Sequence, residues 1–219
     1  MIELPDFKKS FEYENNFYLS CVNQRIGKLL SQYELYKRIQ SIPGDIVECG
    51  VFKGASLVRF AMFRQLLGDI FSKRIIGFDI FDKFPETNFL EDKKFRQKFV
   101  DDAGEQSIST QQLMDVLKHK GVESQVELIQ GDIVKTIPSY VNSHPELKIS
   151  LLNLDTDVYE PAVTILEYLY PRISKGGILI LDDYGAFPGE TKAVDDYFKD
   201  KKVKIEKFDF SDTPCYIVK

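Results

Sequence analysis

Two apolar runs that each stop at a pair of acids constrain this chain more than any other feature. Ile-Ser-Leu-Leu-Asn-Leu at positions 149–154 ends at Asp155-Thr156-Asp157, and Ile-Leu-Ile-Leu at 178–181 ends at Asp182-Asp183. Between them lies one helix-length segment. Pro161 suits a first helical position, Ala162, Val163, Ile165, Leu166 and Leu169 form a helical face, and Pro171 and Gly176-Gly177 end it. The pattern predicts strand, crossover helix and parallel strand, with the two strands side by side about 4.8 Å apart. Both acidic ends then fall on the carboxyl edge of the sheet, where open α/β sheets bind ligands.

Four carboxylates within about 10 Å repel one another, so some must hold protons or share a cation. Oxygen donors without neighbouring His or Cys select a hard ion, Mg²⁺ before Ca²⁺ or Mn²⁺. The competing reading makes these residues strand-end turn formers and helix caps. Two doubled pairs favour a site over that reading.

Composition narrows the classes. The net charge of −5 over 219 residues argues against nucleic acid or an anionic membrane as partner. No apolar run approaches the roughly 18 residues of a membrane span, and the first ten residues lack a signal-peptide core. Cys21, Cys49 and Cys215 are widely spaced and fit a reducing cytoplasm. With two histidines, His119 and His144, a His-based zinc site has little to draw on.

A second informative stretch is Asp45-Ile-Val-Glu-Cys-Gly-Val-Phe-Lys-Gly54. A short strand runs into Gly50 and Gly54, and a helix begins near Ala55-Ser56. The glycines allow a sharp turn and a close approach of backbone to ligand at that helix's amino end. Glu48, read as lying in the loop region, disfavours a pyrophosphate and suits a cationic or hydroxyl-bearing ligand. A dinucleotide loop would carry a third close glycine. The next strand, 74–79, ends at Asp79, a position that bonds ribose hydroxyls in nucleotide-type α/β folds, or simply forms a turn. Asp132 closes the strand 126–129 and either accepts from an adenine amino group or caps the following helix.

Residues 1–24 read as an aromatic arm or short helix packing on the domain or on a second subunit, which makes a homodimer reasonable. Residues 25–39 read as a helix whose apolar positions are Ile26, Leu29, Leu30, Tyr33, Leu35, Tyr36 and Ile39. Residues 80–110 exceed a normal loop and read as a lid or substrate-binding insertion, the alternative being a surface helix over 91–101. Two closing strands, 203–210 and 214–218, read as an antiparallel edge hairpin.

Seven strands in this order give an α/β, Rossmann-like, mostly parallel sheet with helices on both faces. The assembly resembles the class I S-adenosylmethionine-dependent methyltransferases, and within them the macrocin O-methyltransferase (TylF/MycF/NovP-like) family. The resemblance rests on residues 44–54, Gly77-Phe78-Asp79 with Phe84-Pro85, Leu154-Asp-Thr-Asp-Val-Tyr-Glu160, Gly176-Gly177 through Asp182-Asp183-Tyr184-Gly185, and Ala193-Val194-Asp195. It implies an N-terminal arm and helix over 1–42 and a methyltransferase domain over 43–219. It also implies roles. Glu48, Gly50 and Gly54 would surround the methionine part of S-adenosylmethionine, Asp79 would hold its ribose, Asp132 would lie near its adenine, and Ser56 would also contact the cofactor. Asp155, Asp182 and Asp183 would ligate Mg²⁺, with Asp155 also beside the cofactor, and Asp157 would be the general base. The acceptor would be a hydroxyl on a sugar, nucleotide sugar or natural product. Two segments depart from the family pattern: Ile80-Phe-Asp-Lys-Phe-Pro85 stands where relatives show Ser-Phe-x-Gly-x-Pro, and Gly189-Glu190-Thr191 lacks a Cys-Arg. Both bear on acceptor identity. A nicotinamide-dependent oxidoreductase and a non-catalytic S-adenosylmethionine-binding protein are the alternatives, disfavoured respectively by the two-glycine loop with Glu48 and by the crowded acids.

Overall fold

A computed structural model describes residues 2–219. Five parallel strands, β1 (Asp45–Cys49), β2 (Ile75–Asp79), β3 (Val126–Gln130), β4 (Ile149–Leu154) and β5 (Ile173–Leu181), and one antiparallel strand, β6 (Cys215–Val218), form a sheet of order β3-β2-β1-β4-β5-β6. Strand order reverses between β1 and β4, which opens a crevice beyond their carboxyl ends.

Period-two alternation sends the side chains of each strand to two separate cores. Val47, Cys49, Leu152, Leu154, Leu179 and Leu181 pack beneath α6 (Ile133–Ser143), α7 (Tyr159–Tyr168) and α8 (Pro188–Phe198). Ile46, Leu151, Ile178 and Ile180 pack on the opposite face beneath α2 (Asn23–Arg38), α3 (Ala55–Leu66) and α5 (Thr110–Lys120). Fully burying each of these aliphatic side chains contributes about 1.5–3 kcal/mol, so the sheet is anchored from both sides. The capping signals act as written: Ser109 and Gln112 form a reciprocal capping box on α5, and Gly121 ends that helix in the left-handed region.

Several expectations need correction. The strand predicted over 203–210 does not form; Glu206 alone bridges Tyr216, through a reciprocal pair of bonds of 2.9 and 2.8 Å. The sheet therefore has six strands. Lysines at 201, 202, 204 and 207 crowd this edge, and Pro214 has no N–H to extend the ladder. Strand β5 starts at Ile173, so Gly176-Gly177 lie inside it and do not end the helix; the register shifts there. Glu48 belongs to β1, not to the loop after it. On α2 the buried residues are Gly27, Ser31, Gln32, Leu35 and Tyr36, whereas Leu30 is exposed, so the inward stripe is rotated from the one that hydrophobicity alone marks.

Helix α1 (Ser10–Ser20) buries no residue, and Phe11 and Leu19 face solvent; the expected packing of this segment on the domain is confined to residues before it. Ile2 and Leu4 touch the core, and Phe7 stacks on His119 at 4.2 Å. The 80–110 segment contains α4 (Leu90–Ala103) and lies over the carboxyl edge. Asp92 of α4 accepts from the backbone N–H groups of Tyr159 (3.0 Å) and Gly189 (2.7 Å), while Arg96 donates to the carbonyls of Phe84 and Pro85. Phe99 packs on Phe52 and Phe84, with centroids 5.2 and 5.0 Å away.

Candidate functional site

The crevice at the β1/β4 switch point is a cavity of about 700 Å³ roofed by α4. That is room for a nucleoside-sized ligand with an acceptor beside it. Gly50 makes the crevice floor. Its φ of +89° lies in the left-handed region, and a Cβ there would fall 1.7 Å from the carbonyl oxygen of Asp155. Only glycine lets the turns after β1 and β4 touch in this way. Gly54, with φ +83°, opens α3 without a side-chain cap, leaving the first N–H groups of that helix facing the crevice.

Asp79 stands at the end of β2 on the cavity wall. Its two oxygens accept from the N–H groups of Val51 (2.8 Å), Phe52 (3.0 Å) and Phe81 (2.6 Å). Burial pushes its pKa up against those bonds. A carboxylate has about four acceptor positions, so roughly one stays available to a ligand. The same contacts hold Phe52 (φ 48°) and Phe81 (φ 55°) in a strained conformation for residues with a Cβ. Asp132 lines the cavity and caps α6, accepting from Val134 N at 3.0 Å, so the cap reading holds.

Glu48 points away from the cavity, to the α2/α3 face. It is fully buried, accepts from Ser56 Oγ and, at 3.4 Å, from Asn153 Nδ2, and its other oxygen has no partner. Burial pushes its pKa up to about 8, so the carboxyl is mostly protonated at neutral pH. Ser56 lines the cavity and also reaches Glu48, which makes it the link between the two.

The acids converge as their strand positions dictate. Asp155, Asp182 and Asp183 each present a carboxylate oxygen within 4.8 Å of the others. Asp182 Oδ1 and Asp183 Oδ2 are buried without a hydrogen-bond partner, as is Glu190 Oε2. Orphaned carboxyl oxygens on the crevice wall fit a hard divalent cation held by oxygen donors, and no softer donor stands among them. Asp157 follows at φ +62°, buried beside the cluster. Burial, then the charge of Asp155, raises its pKa well above the carboxylate range, and burial likewise raises Asp155, Asp183 and Glu190.

Sequence reasoning missed two residues here. Lys28 of α2 hydrogen-bonds Asp182 Oδ2 and lies 3.9 Å from Asp155 Oδ2. Burial pulls its pKa down, but Asp155 and Asp182 outweigh it and hold the ammonium charged. Its spacing from Gln32, Leu35 and Ile39 on one helical stripe was the available signal. Glu190 sits where the family pattern departs. It accepts from the N–H of Asp183 at 3.0 Å, and its own N–H bonds the carbonyl of Asp157 at 3.2 Å, bracing both acidic turns.

The family model for macrocin-O-methyltransferase (TylF) matches residues 21–217. The chain is 31% identical over 160 residues to the 8-demethyl-8-(2,3-dimethoxy-α-L-rhamnosyl)-tetracenomycin-C 4'-O-methyltransferase of Streptomyces olivaceus, a match covering 71% of this chain and 58% of the relative. It is 28% identical over 180 residues to the demethyldecarbamoylnovobiocin O-methyltransferase of Streptomyces niveus, covering 78% and 62%. Matches thus span under two thirds of these relatives' lengths. Among solved structures, a calicheamicin methyltransferase superposes with a TM-score of 0.73 at 25% identity, covering 95% of this chain and 85% of the other. The O-methyltransferase NovP shares the fold, with a TM-score of 0.76 at 23% identity over 89% and 80% of the two chains. The glycine turn at 50–54, the acids at 155–157 and 182–183 and the five parallel strands all lie within the matched span, and this chain belongs to the macrocin-O-methyltransferase (TylF) family.

Proposed function

We propose that this protein transfers a methyl group from S-adenosylmethionine to a hydroxyl of a sugar or glycosylated small molecule, with a divalent cation, Mg²⁺ first, held by Asp155, Asp182 and Asp183. The observation that carries the reading is the convergence of those three carboxylates, with orphaned oxygens, beside a crevice floored by Gly50. The named relatives act on glycosylated natural products, which supports a sugar hydroxyl as acceptor. When bound, the sulfonium donor supplies an electrophilic methyl group, and the cation supplies charge that orients the acceptor and acidifies its hydroxyl.

The chain's own residues have separable tasks. Gly50 and the free N–H groups at the start of α3 admit the amino-acid end of the donor close to the backbone. Asp79, with one acceptor position left, faces the ribose, and Asp132 with Ile133 and Val134 borders the adenine end of the cavity. Asp157 stands beside the acidic cluster to accept the hydroxyl proton, and its raised pKa makes it a stronger base than a free carboxylate once ionised. Phe52, Phe84 and Phe99 close the apolar side and keep water from the reacting methyl group.

The test is direct. Calorimetry should register S-adenosylmethionine and not NAD, and methyl transfer to a panel of rhamnosides and nucleotide sugars should stop in excess chelator and return with Mg²⁺. Undiminished transfer in chelator removes the metal from the reading; binding of NAD alone removes the donor.

A further inference from the structure

Lys28 reaches into the acidic cluster that would hold a metal ion. Its Nζ bonds Asp182 Oδ2 and stands 3.9 Å from Asp155 Oδ2, with the side chain about one-fifth exposed. Strand parity explains the meeting. Asp155 and Asp182 continue the face that carries Leu151 and Ile178, the face on which α2 packs. Along α2 the inward stripe runs from Ile39 and Leu35 to Gln32 and then Lys28, apolar under the sheet's centre and cationic at its carboxyl edge. Among the described residues no other cation forms an ion pair with these acids: Arg59 hydrogen-bonds Gln32 Oε1, and Arg25 lines the cavity.

We propose that Lys28 is the resident counter-ion of the Asp155–Asp182–Asp183 cluster, and that a divalent cation enters by displacing its ammonium. The proposal rests on the reading of that cluster as a divalent-cation site. An ammonium held on Asp182 Oδ2 and a divalent cation ligated by the same carboxyl group repel each other at this range, so the cation's arrival drives the ammonium off. The fold would then keep its acids organised without metal, and metal occupancy would be registered by α2, the helix that leads back to the exposed α1.

The experiment titrates Mn²⁺, followed by paramagnetic resonance, and Mg²⁺, followed by calorimetry, into the full chain, Lys28→Met and Arg25→Gln. Arg25→Gln removes the same charge from the same cavity without removing an occupant. Displacement predicts that Lys28→Met tightens binding about tenfold or more, a change of one decade in Kd, while Arg25→Gln changes it far less. In the unaltered protein, amine acylation read by mass spectrometry should label Lys28 faster at saturating Mg²⁺, which decides the matter even if Lys28→Met folds poorly. Equal affinity of Lys28→Met and the unaltered protein, equal tightening by Arg25→Gln, or metal-independent labelling overturns the proposal and leaves the metal site standing. Binding by Lys28→Met alone overturns displacement, leaving Lys28 as a permanent counter-ion and taking the metal out of the native reaction. If neither protein binds an ion, the metal reading itself falls, and this proposal with it.

Discussion

Gly50 and Asp155 touch backbone to backbone: a Cβ on Gly50 would lie 1.7 Å from the Asp155 carbonyl oxygen. No rotamer relieves a clash between a Cβ and a main-chain atom, so the two turns would have to separate. Gly50→Ala is expected to lose about 3 kcal/mol or more, combining left-handed strain with overpacking. It should also abolish donor binding, because the crevice floor and Asp155 move together. Urea denaturation and calorimetry check both parts; a variant of native stability would show that the turns can separate freely.

Glu48 gives a pH signature. Its folded pKa of about 8 lies above the ordinary carboxyl value. A group raised on folding stabilises below its unfolded pKa, and that contribution is lost as pH rises through the folded one. The stability of the native protein should therefore fall, relative to Glu48→Gln, from about pH 4.5 to about pH 8, and then level off. Gln keeps the acceptor for Ser56 and Asn153 but cannot ionise. Melting temperatures of the two proteins between pH 5 and 9 test this, and parallel curves would place the Glu48 charge in water.

Much of this was legible in the chain. Strand ends at Asp79, Asp155 and Asp182 follow from apolar runs meeting acid, and their shared edge follows from parallel connection. Lys28 was not legible from hydrophobicity, because a cation on an inward stripe reads as a solvated residue until its partners are known. Glu48 was placed one element too late: a carboxylate among Val47 and Cys49 looks like a loop residue unless its neutral, hydrogen-bonded state is anticipated. The stretch 203–210 alternates as far as Glu206 and changes phase at Lys207, and so short a pattern cannot tell a paired strand from one that meets its neighbour at a single bridge.

Asp157 is the proposed base, and its backbone makes a clean test available. At φ +62° it holds a conformation that Asn tolerates nearly as well as Asp. Asp157→Asn should therefore preserve fold and donor binding while lowering kcat by about 10²–10⁴. Isothermal titration beside single-turnover methyl transfer separates the two effects. Near-native turnover in this variant would assign the proton to another acceptor.

Asp92 governs how α4 is fixed over the site. Its two oxygens take the N–H groups of Tyr159 and Gly189, at the first turns of α7 and α8, so one carboxylate ties α4 to the helices that follow both acidic strand ends. Its negative charge also meets two positive helix ends. Asp92→Ala would strand two N–H groups, at about 1–3 kcal/mol each. Asp92→Asn should fall between, since an amide offers one acceptor and turns its NH₂ toward the other donor. Gly189→Ala should cost stability by the opposite route, because its Cβ would lie 2.0 Å from Asp92 Oδ2. The double variant Asp92→Ala with Gly189→Ala should then recover part of the loss, the side chain that clashed being gone. Chemical denaturation of the set measures the coupling; additive losses would mean that Asp92 and Gly189 act independently and that α4 is held by Arg96 and the phenylalanines instead.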